Sequence, residues 1–413
     1  MLSHIGIILG GILVGAAAVQ SMLLLLNTLS RSAFQKKQQA LALETWQHRV
    51  DAAKASVTRE ESQAQHSWNG YRKFEVKRKE FEDDTKGICS FYLWPHDERP
   101  LPEFHPGQYI TFELKIPGQP GILKRCYSLS DSPDPDYFRV SIKRVPDGRS
   151  SGFFHEQVRE GDFLNIRAPS GKFHVDMMDD YPIVLLGSGV GITPCLSIIN
   201  ALAAKRSRRE CWLFYGAREE GELVQRKHLE SLAQEHDNLH VHFAFSGKKP
   251  EECTTANDHA GRISTQLLAE ILPSNNYDYY MCGPGAMMSS MKEQLLAWGV
   301  PDDNIHYEAF GPASVQKKAA PAIAAGAPAM KVTFAKSGQS FDWDPNAGTL
   351  LDFAESKGLN LECGCRAGNC GSCEIAIKDG KVDYVKDPEY SDLGEGNCLT
   401  CVSVPKGDIT LDA

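Results

Sequence analysis

The sequence predicts a multidomain α/β protein that carries a single N-terminal transmembrane helix. Three patterns support this fold class. Residues 5–26 contain no charged side chain, residues 74–173 form short β-rich runs broken by Gly and Pro, and residues 182–186 form a continuous apolar run before a Gly-rich turn. In order, these patterns predict a membrane span, an antiparallel β-barrel and a parallel, doubly wound α/β domain.

The chain of 413 residues is long enough for several domains. Shifts in composition place their boundaries. We predict a transmembrane anchor at 1–30, a helical stalk at 31–66, the β-barrel domain at 67–175, the α/β domain at 176–312, a linker at 313–329 and a small C-terminal domain at 330–413.

The uncharged run is long enough to cross a membrane, because its 22 residues would rise roughly 33 Å as a helix and a bilayer core is about 30 Å thick. The first charged residue is Arg31, followed by Lys36 and Lys37. Positive charge after the span indicates an uncleaved anchor with its N-terminus outside. We therefore expect a single-pass protein of the cell inner membrane with its other domains in the cytoplasm. A cleaved signal peptide is the alternative, although it normally carries positive charge before the apolar run.

Two further segments connect the domains. Residues 32–66 lack Gly and Pro and are rich in Ala, Gln, Glu and Lys, which predicts a polar helix that acts as a stalk or a short coiled coil. Residues 313–329 are rich in Ala, Pro and Lys and lack periodicity. As a flexible coil they would span about 20–25 Å, enough for the C-terminal domain to swing.

The charge of the chain bears on its partners. A formal net charge of −9 argues against nucleic acid. Residues 330–413 hold 14 acidic and 8 basic residues. An acidic domain suggests a basic docking surface on a partner protein, and solubility alone is an equally good explanation.

Cysteines near the C-terminus have the spacing of metal ligands. Cys365, Cys370 and Cys373 form a C-x4-C-x2-C pattern, and Cys401 follows. This spacing suits a [2Fe–2S] cluster, because two irons need four thiolates and a Gly-rich loop brings amides to the sulfurs. Zinc is the alternative, although it usually takes two C-x2-C pairs.

Residues 330–413 resemble plant-type ferredoxins through this motif. The resemblance implies a β-grasp fold, an electron-carrier role and the four cysteine ligands just named. Cys363 and Cys398 lie close to the ligand set and could replace Cys365 or Cys401. The ferredoxin-like register favours the first four.

A second group of motifs lies in the β-rich region. Arg125-Cys126-Tyr127-Ser128 follows residues 106–109, and residues 142–144 and 148–151 come next, the last of them at the predicted start of a helix. In this order they resemble the ferredoxin–NADP reductase superfamily and, within it, the reductase half of flavohaemoglobins, over residues 74–312. The resemblance implies FAD, with FMN as the alternative.

The same resemblance assigns roles to these residues. Arg125 would pair with the flavin phosphates, which suit a bidentate guanidinium. Tyr127 would pack on the isoalloxazine ring, and the Ser128 hydroxyl would approach its reactive nitrogen as a catalytic group. The flavin-binding set is completed by Ile142, Gly148 and Ser151, the last two at a helix N-terminus that offers amides to a phosphate. In the simpler interpretation, Tyr127 is a core aromatic and Ser151 a helix cap.

A third group of motifs predicts nucleotide binding. Gly187, Gly189 and Gly191 follow the apolar run and precede Thr193-Pro194 and a helix. A strand, a Gly-rich turn and a helix bring backbone amides close to a pyrophosphate. The G-x-G-x-G spacing differs from the Rossmann G-x-G-x-x-G and matches the version of the reductase superfamily.

The preferred nucleotide depends on the segment after the second predicted strand. Glu219 and Glu220 favour a free ribose 2′-hydroxyl and therefore NADH, because they would repel a 2′-phosphate. Arg218, which the resemblance places near the adenosine ribose, and Arg226 leave NADPH open.

Two later strings complete the resemblance. Cys282-Gly283-Pro284 would lie near the nicotinamide, with Cys282 as a catalytic candidate or simply a core cysteine. Glu308, a catalytic candidate, would lie near the hydride path, and Phe310 would shield the flavin face.

The whole pattern implies an NADH-dependent oxidoreductase that passes electrons through FAD and a [2Fe–2S] cluster to a separate, membrane-associated protein acceptor. Similar chains are reductase components of oxygenases, hydroxylases and desaturases. One alternative is a quinone-linked respiratory reductase, although in the sodium-translocating NADH:quinone reductase the ferredoxin module comes first. The other is a membrane-tethered redox sensor with little turnover.

Overall fold

The computed structural model describes residues 65–413, except 120–121, 135, 309, 311–329, 360, 369–370 and 389–392. Before residue 65 it describes seven separate residues: 22, 36, 37, 43, 46, 50 and 54. The chain divides into two compact units, residues 1–61 and 62–413.

In the N-terminal unit, all seven described residues are helical. The predicted membrane span at 5–26 lies outside the described residues apart from Met22, and so does most of the predicted stalk. The predicted linker at 313–329 lies outside them entirely. Within the described parts of the chain, no helix is both long enough and apolar enough to cross a membrane. The transmembrane helix therefore stays a prediction.

The first domain of the second unit is a six-stranded antiparallel sheet with strand order β4-β3-β6-β1-β2-β5. The two outer strands approach each other, since Ser130 donates its N–H to the Arg139 carbonyl at 2.9 Å and Leu129 bridges Val140. The elements are β1 (Arg72–Phe81), β2 (Ile88–Pro95), β3 (Tyr109–Leu114), β4 (Leu123–Ser128), β5 (Phe138–Lys143), α1 (Arg149–Gly152) and β6 (Phe163–Ile166).

Aromatic side chains fill this domain. Phe154, on the π-helical turn after α1, lies edge-on to Phe91 and Phe112 with ring centroids 5.1 Å apart in both pairs. Edge-to-face pairs stabilise a core beyond the area they bury. The helical turn is thereby fixed against the sheet beside the segment 148–151.

The second domain is a six-stranded parallel sheet with strand order β10-β9-β8-β7-β11-β12. Its strands are β7 (Ile183–Ser188), β8 (Cys211–Ala217), β9 (Leu239–Phe245), β10 (Asp258–Ala260), β11 (Asp278–Cys282) and β12 (Ile305–Glu308). Its helices are α2 (Ile192–Ala204), α3 (Arg226–Glu235), α4 (Thr265–Ile271) and α5 (Gly285–Ala297).

The direction of strand order changes between β7 and β11. Ligands of open α/β sheets bind at such a switch point, outside the carboxyl ends of the strands. Residues 183–186 of the apolar run form a buried part of β7, as the sequence predicts, and Pro182 directly precedes the strand. The Gly-rich turn therefore lies at the switch point.

The third domain has a mixed five-stranded sheet with order β14-β13-β19-β15-β17 and a separate β16-β18 pair. A capping box of Thr349 and Asp352 begins its helix, whose apolar side chains are buried against the sheet. The elements are β13 (Lys331–Phe334), β14 (Gln339–Asp342), α6 (Leu350–Ser356), β15 (Glu374–Asp379), β16 (Val382–Tyr384), β17 (Asn397–Leu399), β18 (Ser403–Pro405) and β19 (Ile409–Leu411).

A buried polar network joins the first two domains. Asp131, after β4, accepts a hydrogen bond from Asn200 Nδ2 at 2.9 Å, and its carbonyl accepts one from Ser197 Oγ at 2.7 Å. The Asp131 carboxylate also lies 3.4 Å from Arg139, whose side chain is 6% exposed. Because each group satisfies a buried partner, the network fixes α2 against the sheet of the first domain.

Candidate active site

A cavity of about 480 Å³ lies where the three domains meet. The first domain contributes residues of β3, β4 and β5, the second contributes the Gly-rich turn, the start of α2 and the end of β12, and the third contributes one loop. Its wall consists of Tyr109, Arg125, Cys126, Tyr127, Ser128, Ser141, Lys143, Val145, Val190, Thr193, Glu308, Phe310, Gly364, Cys365 and Arg366.

The Arg125-x-Tyr127-Ser128 motif forms the end of β4, which pairs with β3. Arg125 and Lys143 bring two positive charges to the wall of the cavity. Arg125 Nη1 donates to the Lys124 carbonyl at 2.7 Å and to the Gly364 carbonyl at 3.4 Å. The guanidinium therefore lies between the first domain and the loop of the third.

Tyr127 is held on two sides. Its ring lies edge-on to Phe112 and Phe154, with centroids 5.8 and 5.4 Å away, and its hydroxyl is 2.8 Å from Ser150 Oγ. Burial raises the pKa of Tyr127 to about 12, so the hydroxyl stays protonated. The ring is a fixed aromatic wall of the cavity.

Ser128 and Glu308 meet in the cavity although 180 residues separate them. Ser128 Oγ donates to Glu308 Oε2 at 3.1 Å, and both side chains are about 5% exposed. Glu308 lies opposite Cys282 on the neighbouring strand. Burial, and then the charge of Glu308, raise the pKa of Cys282 well above its ordinary value. Cys282 is therefore a protonated thiol, which fits a packing role better than a nucleophile.

Three predicted flavin residues lie beside the cavity rather than in its wall. Ile142 is buried in the core of the first domain, and its carbonyl is 2.8 Å from His155 Nε2. Ser151 Oγ accepts the Val145 N–H at 3.1 Å and donates to the Gly148 carbonyl at 3.3 Å. A Cβ on Gly148 would lie 2.5 Å from Ser151 Oγ, so the tight turn needs this glycine.

The Gly-rich turn after β7 packs directly on the end of β11. A Cβ on Gly191 would lie 2.2 Å from the Cys282 carbonyl oxygen, and one on Gly283 would lie 2.9 Å from Met287 Sδ. Gly189 has φ +55°, a conformation that glycine adopts without strain. Gly187 and Pro194 are buried beneath the turn, and Thr193 Oγ1 donates to the Val190 carbonyl at 2.9 Å.

A second cavity, of about 440 Å³, extends from this turn over the ends of β8 and β9. Its wall includes Gly189, Arg218, Glu222, Arg262 and Pro284. The Arg218 guanidinium donates two hydrogen bonds to Glu222, at 2.8 and 2.5 Å, and the Arg218 N–H donates a third at 3.1 Å.

The two acidic residues that the sequence selects lie elsewhere. Glu220 pairs with Arg226 at 3.1 Å and Lys248 at 3.0 Å, and Glu219 is exposed. Neither belongs to the wall of the second cavity. Glu222 does, and it was missed because the sequence does not show which of three nearby glutamates faces the cavity.

In the third domain, three of the four predicted ligands come together. Cys401 is hydrogen-bonded to Cys373, and this bond, then burial and then the charges of Cys373 and Cys365 raise its pKa. The N–H of Ala367 lies 3.4 Å from Cys365 Sγ, and the N–H of Gly368 also donates to Cys401. The fourth predicted ligand, Cys370, lies outside the described residues.

The two alternative cysteines have other partners. Arg366 Nη2 lies 3.8 Å from Cys363 Sγ, and Cys398 is hydrogen-bonded to Ser403. Among the described residues, no three His, Cys, Asp or Glu side chains are grouped as a single-ion site. A [2Fe–2S] cluster distributes four ligands over two irons, so it is held by a different arrangement.

The residues present fit the cofactors that the motifs imply. Ser372 Oγ, beside Cys373, is buried without a hydrogen-bond partner among the described residues, so it is able to donate to a cluster sulfur. The first cavity offers three cations, an aromatic wall and hydroxyl groups, a donor set that suits a flavin and its phosphates. Gly189, in the wall of the second cavity, has nothing within 4 Å of the place of a Cβ, so the backbone of this turn is open to a pyrophosphate.

Three known domain families match the chain in the order in which its domains occur. The oxidoreductase FAD-binding domain matches residues 73–175, the oxidoreductase NAD-binding domain matches 185–293 and the 2Fe-2S iron-sulfur cluster binding domain matches 332–406.

Similar proteins cover different parts of the chain. The flavohemoprotein of Bacillus cereus is 35% identical over 247 residues, which are 58% of this chain and 61% of that protein, so the chain matches under two thirds of the relative's length. The flavohem-like FAD/NAD-binding domain of nitric oxide dioxygenase from Vibrio cholerae is 30% identical, with a TM-score of 0.53, and covers 59% of this chain and all of its own. Phthalate dioxygenase reductase shares the fold over 83% of this chain and 98% of its own, with a TM-score of 0.52 and 24% identity.

The fold and the site together define an oxidoreductase with FAD-binding, NAD-binding and [2Fe–2S] cluster domains. Within that class, the chain belongs to the ferredoxin–NADP reductase-like superfamily, as a member with flavohemoprotein-like reductase domains and a C-terminal ferredoxin domain. The enzyme class and the three cofactor types predicted from the sequence are confirmed. The roles of individual residues and the preference for NADH stay predictions.

Proposed function

We propose that this chain carries electrons from NADH through FAD and a [2Fe–2S] cluster to a separate acceptor protein. The observation that carries the proposal is the first cavity, where Ser128, Glu308 and Cys365 of three different domains share one wall. When bound, the flavin accepts a two-electron hydride and releases electrons singly, which a [2Fe–2S] cluster accepts.

The protein's own groups would orient the reactants and exclude water. The Ser128–Glu308 hydrogen bond is buried, so it presents a fixed hydroxyl in the wall of the cavity. Phe310 is a cavity wall residue that also packs on the core of the NAD-binding domain. This location supports its predicted role as a cover for the flavin.

NADH as the preferred nucleotide rests on Glu222 rather than on Glu219 and Glu220. Its carboxylate neutralises Arg218 in the wall of the second cavity, and it would repel a ribose 2′-phosphate there. Replacing Glu222 by Gln should therefore narrow the ratio of kcat/KM for NADH over NADPH by about two- to fivefold, as expected for one partly exposed charge. Glu219→Gln is the matched control and should change the ratio less. A wild-type preference for NADPH would refute the assignment.

A protein acceptor such as an oxygenase, hydroxylase or desaturase fits the acidic ferredoxin domain, which holds 14 acidic and 8 basic residues. Phthalate dioxygenase reductase, which transfers electrons from pyridine nucleotides to a [2Fe–2S] cluster, has the same fold, and this likeness supports the proposed order of electron transfer.

We further propose that residues 5–26 anchor the chain in the cell inner membrane with its redox domains in the cytoplasm, because the run is uncharged and a basic segment follows it. Deleting residues 1–30 should release the protein from the membrane fraction with its NADH oxidation intact. Recovery of the full-length chain without detergent after lysis would contradict the anchor.

The proposed function is tested by anaerobic titration of the purified chain with NADH. Extracted flavin should be FAD, near one per chain, and the reduced protein should give a [2Fe–2S] EPR signal. Cytochrome c, as an artificial one-electron acceptor, should be reduced in steady turnover. Stoichiometric FMN would overturn the flavin assignment. Absence of turnover would favour a redox sensor. Quinone reduction by the chain alone would favour a quinone-linked respiratory reductase.

A further inference from the structure

The loop that leads into the cluster motif contacts the FAD-binding domain through an ion pair. Lys124 Nζ lies 2.5 Å from Glu362 Oε2, across 238 residues of sequence. The Lys124 side chain is 17% exposed and the Glu362 side chain 75% exposed. The lysine is thus a largely buried anchor, and the glutamate reaches it from solvent.

A second contact lies two residues further along the same loop. Gly364 accepts the hydrogen bond from Arg125 Nη1 at 3.4 Å, and Gly364 and the ligand candidate Cys365 both line the first cavity. Lys124 directly precedes Arg125 on β4. The ion pair therefore holds the ligand loop beside the strand that carries the flavin motif.

We propose that Lys124 and Glu362 are positioning residues that form an electrostatic latch, which docks the cluster loop on the FAD-binding domain for internal electron transfer. The latch rests on the proposed function. A partly exposed ion pair shifts an equilibrium by about two- to fivefold, so this pair favours docking without holding the loop alone. Other contacts of the loop, such as Arg125 with Gly364, keep some docking when the pair is removed.

The first test measures contact and not activity. A water-soluble carbodiimide activates a carboxylate, and a lysine amine in contact with it displaces the urea to leave an amide. Treatment of the full-length protein should join Lys124 to Glu362, seen by mass spectrometry as linked peptides. The yield should fall at 0.5 M salt, where the Debye length is about 4 Å. Lys124→Gln and Glu362→Gln should each remove this crosslink.

The second test separates the two electron-transfer steps by stopped-flow absorbance. Lys124→Glu or Glu362→Lys should slow cluster reduction about tenfold, because each places two like charges in contact. Flavin bleaching by NADH and flavin content should stay within twofold of wild type. The double reversal, with Lys124→Glu and Glu362→Lys together, should restore cluster reduction to within about threefold.

Matched controls use exposed charges outside both cavities: Lys172→Glu in the FAD-binding domain and Asp342→Lys in the ferredoxin domain. These should leave cluster reduction unchanged. The latch is refuted if the crosslink does not form, if single reversals transfer electrons at the wild-type rate, or if the double reversal gives no rescue. A protein without flavin or cluster would instead refute the proposed function.

Discussion

The FAD-binding domain has two boundaries, and they are built differently. Towards the NAD-binding domain, Asp131 is satisfied by Asn200, Ser197 and a buried Arg139. Towards the ferredoxin domain, the ion pair includes a glutamate that is 75% exposed. Buried, fully paired polar networks are costly to break, whereas exposed pairs are weak. The difference suits hydride transfer, which needs fixed geometry, and docking of an electron carrier, which has to be reversible.

The largest expected effect is loss of electron transfer to the ferredoxin domain, while hydride transfer at the boundary with the NAD-binding domain continues. Cys373→Ser replaces a predicted cluster ligand by a poorer, harder one. We expect loss of the reduced [2Fe–2S] EPR signal and about a hundredfold loss of cytochrome c reduction, while flavin bleaching and ferricyanide reduction persist. A hundredfold is the upper end of what loss of a hydrogen-bonding partner of a metal ligand costs, and loss of the ligand itself should cost at least as much.

Cys363→Ser is the control, because Cys363 lies beside Arg366 and outside the predicted ligand set. It should keep both activities. If Cys363→Ser removes the cluster and Cys365→Ser does not, the ligand register is wrong. Full cytochrome c reduction by Cys373→Ser would show that electrons leave without the cluster.

The next largest effect concerns the Gly-rich turn of the NAD-binding domain. In Gly191→Ala, the new Cβ would lie 2.2 Å from the Cys282 carbonyl oxygen, so backbone has to move. We expect kcat/KM for NADH to fall by about a hundredfold, since small misplacements of reactants are costly in rate. Gly407→Ala, where a Cβ meets nothing within 4 Å, should leave kcat/KM unchanged. An unchanged kcat/KM in Gly191→Ala would mean that the backbone of the turn can shift without misplacing the nucleotide.

A third substitution weakens the boundary between the FAD-binding and NAD-binding domains. Asp131→Ala leaves Arg139, 6% exposed, without its carboxylate partner. Removing one member of a buried pair costs about 3 kcal/mol of unfolding free energy, measured by urea denaturation. Asp131→Asn keeps an oxygen for Asn200 and should lose less. If Asp131→Ala is as stable as wild type and reduces its flavin equally fast, the network does not fix the boundary.

The smallest expected effect is a loss of stability of the NAD-binding domain at acid pH. Burial, and then the charge of His259, lower the pKa of His242 in the NAD-binding domain to about 4. The unfolded chain binds this proton near pH 6.5, so stability falls as the pH drops from about 6.5 towards 4. After allowance for solvent screening we expect a loss of about 1–2 kcal/mol. His242→Phe should flatten the pH dependence of unfolding between pH 6.5 and 4, and an unchanged slope would contradict the assignment.

Local sequence determined the parts of the site that lie within one segment. The cysteine spacing, the Arg125-x-Tyr127-Ser128 string and the glycines after β7 depend on nearest neighbours along the chain, so they identify domains, their order and their cofactors directly. The apolar run before Gly187 likewise predicted a buried parallel strand, because such strands are covered on both faces.

Tertiary structure decided what joins distant segments. Ser128 and Glu308 are hydrogen-bonded across 180 residues, and Lys124 and Glu362 are paired across 238. The choice of Glu222 over Glu219 and Glu220 depends on how the chain turns after β8. The residue type at each position determines its charge and hydrogen-bonding capacity. Which groups lie within a few ångströms of each other depends on how strands and domains pack. The pattern of a single sequence does not specify that packing.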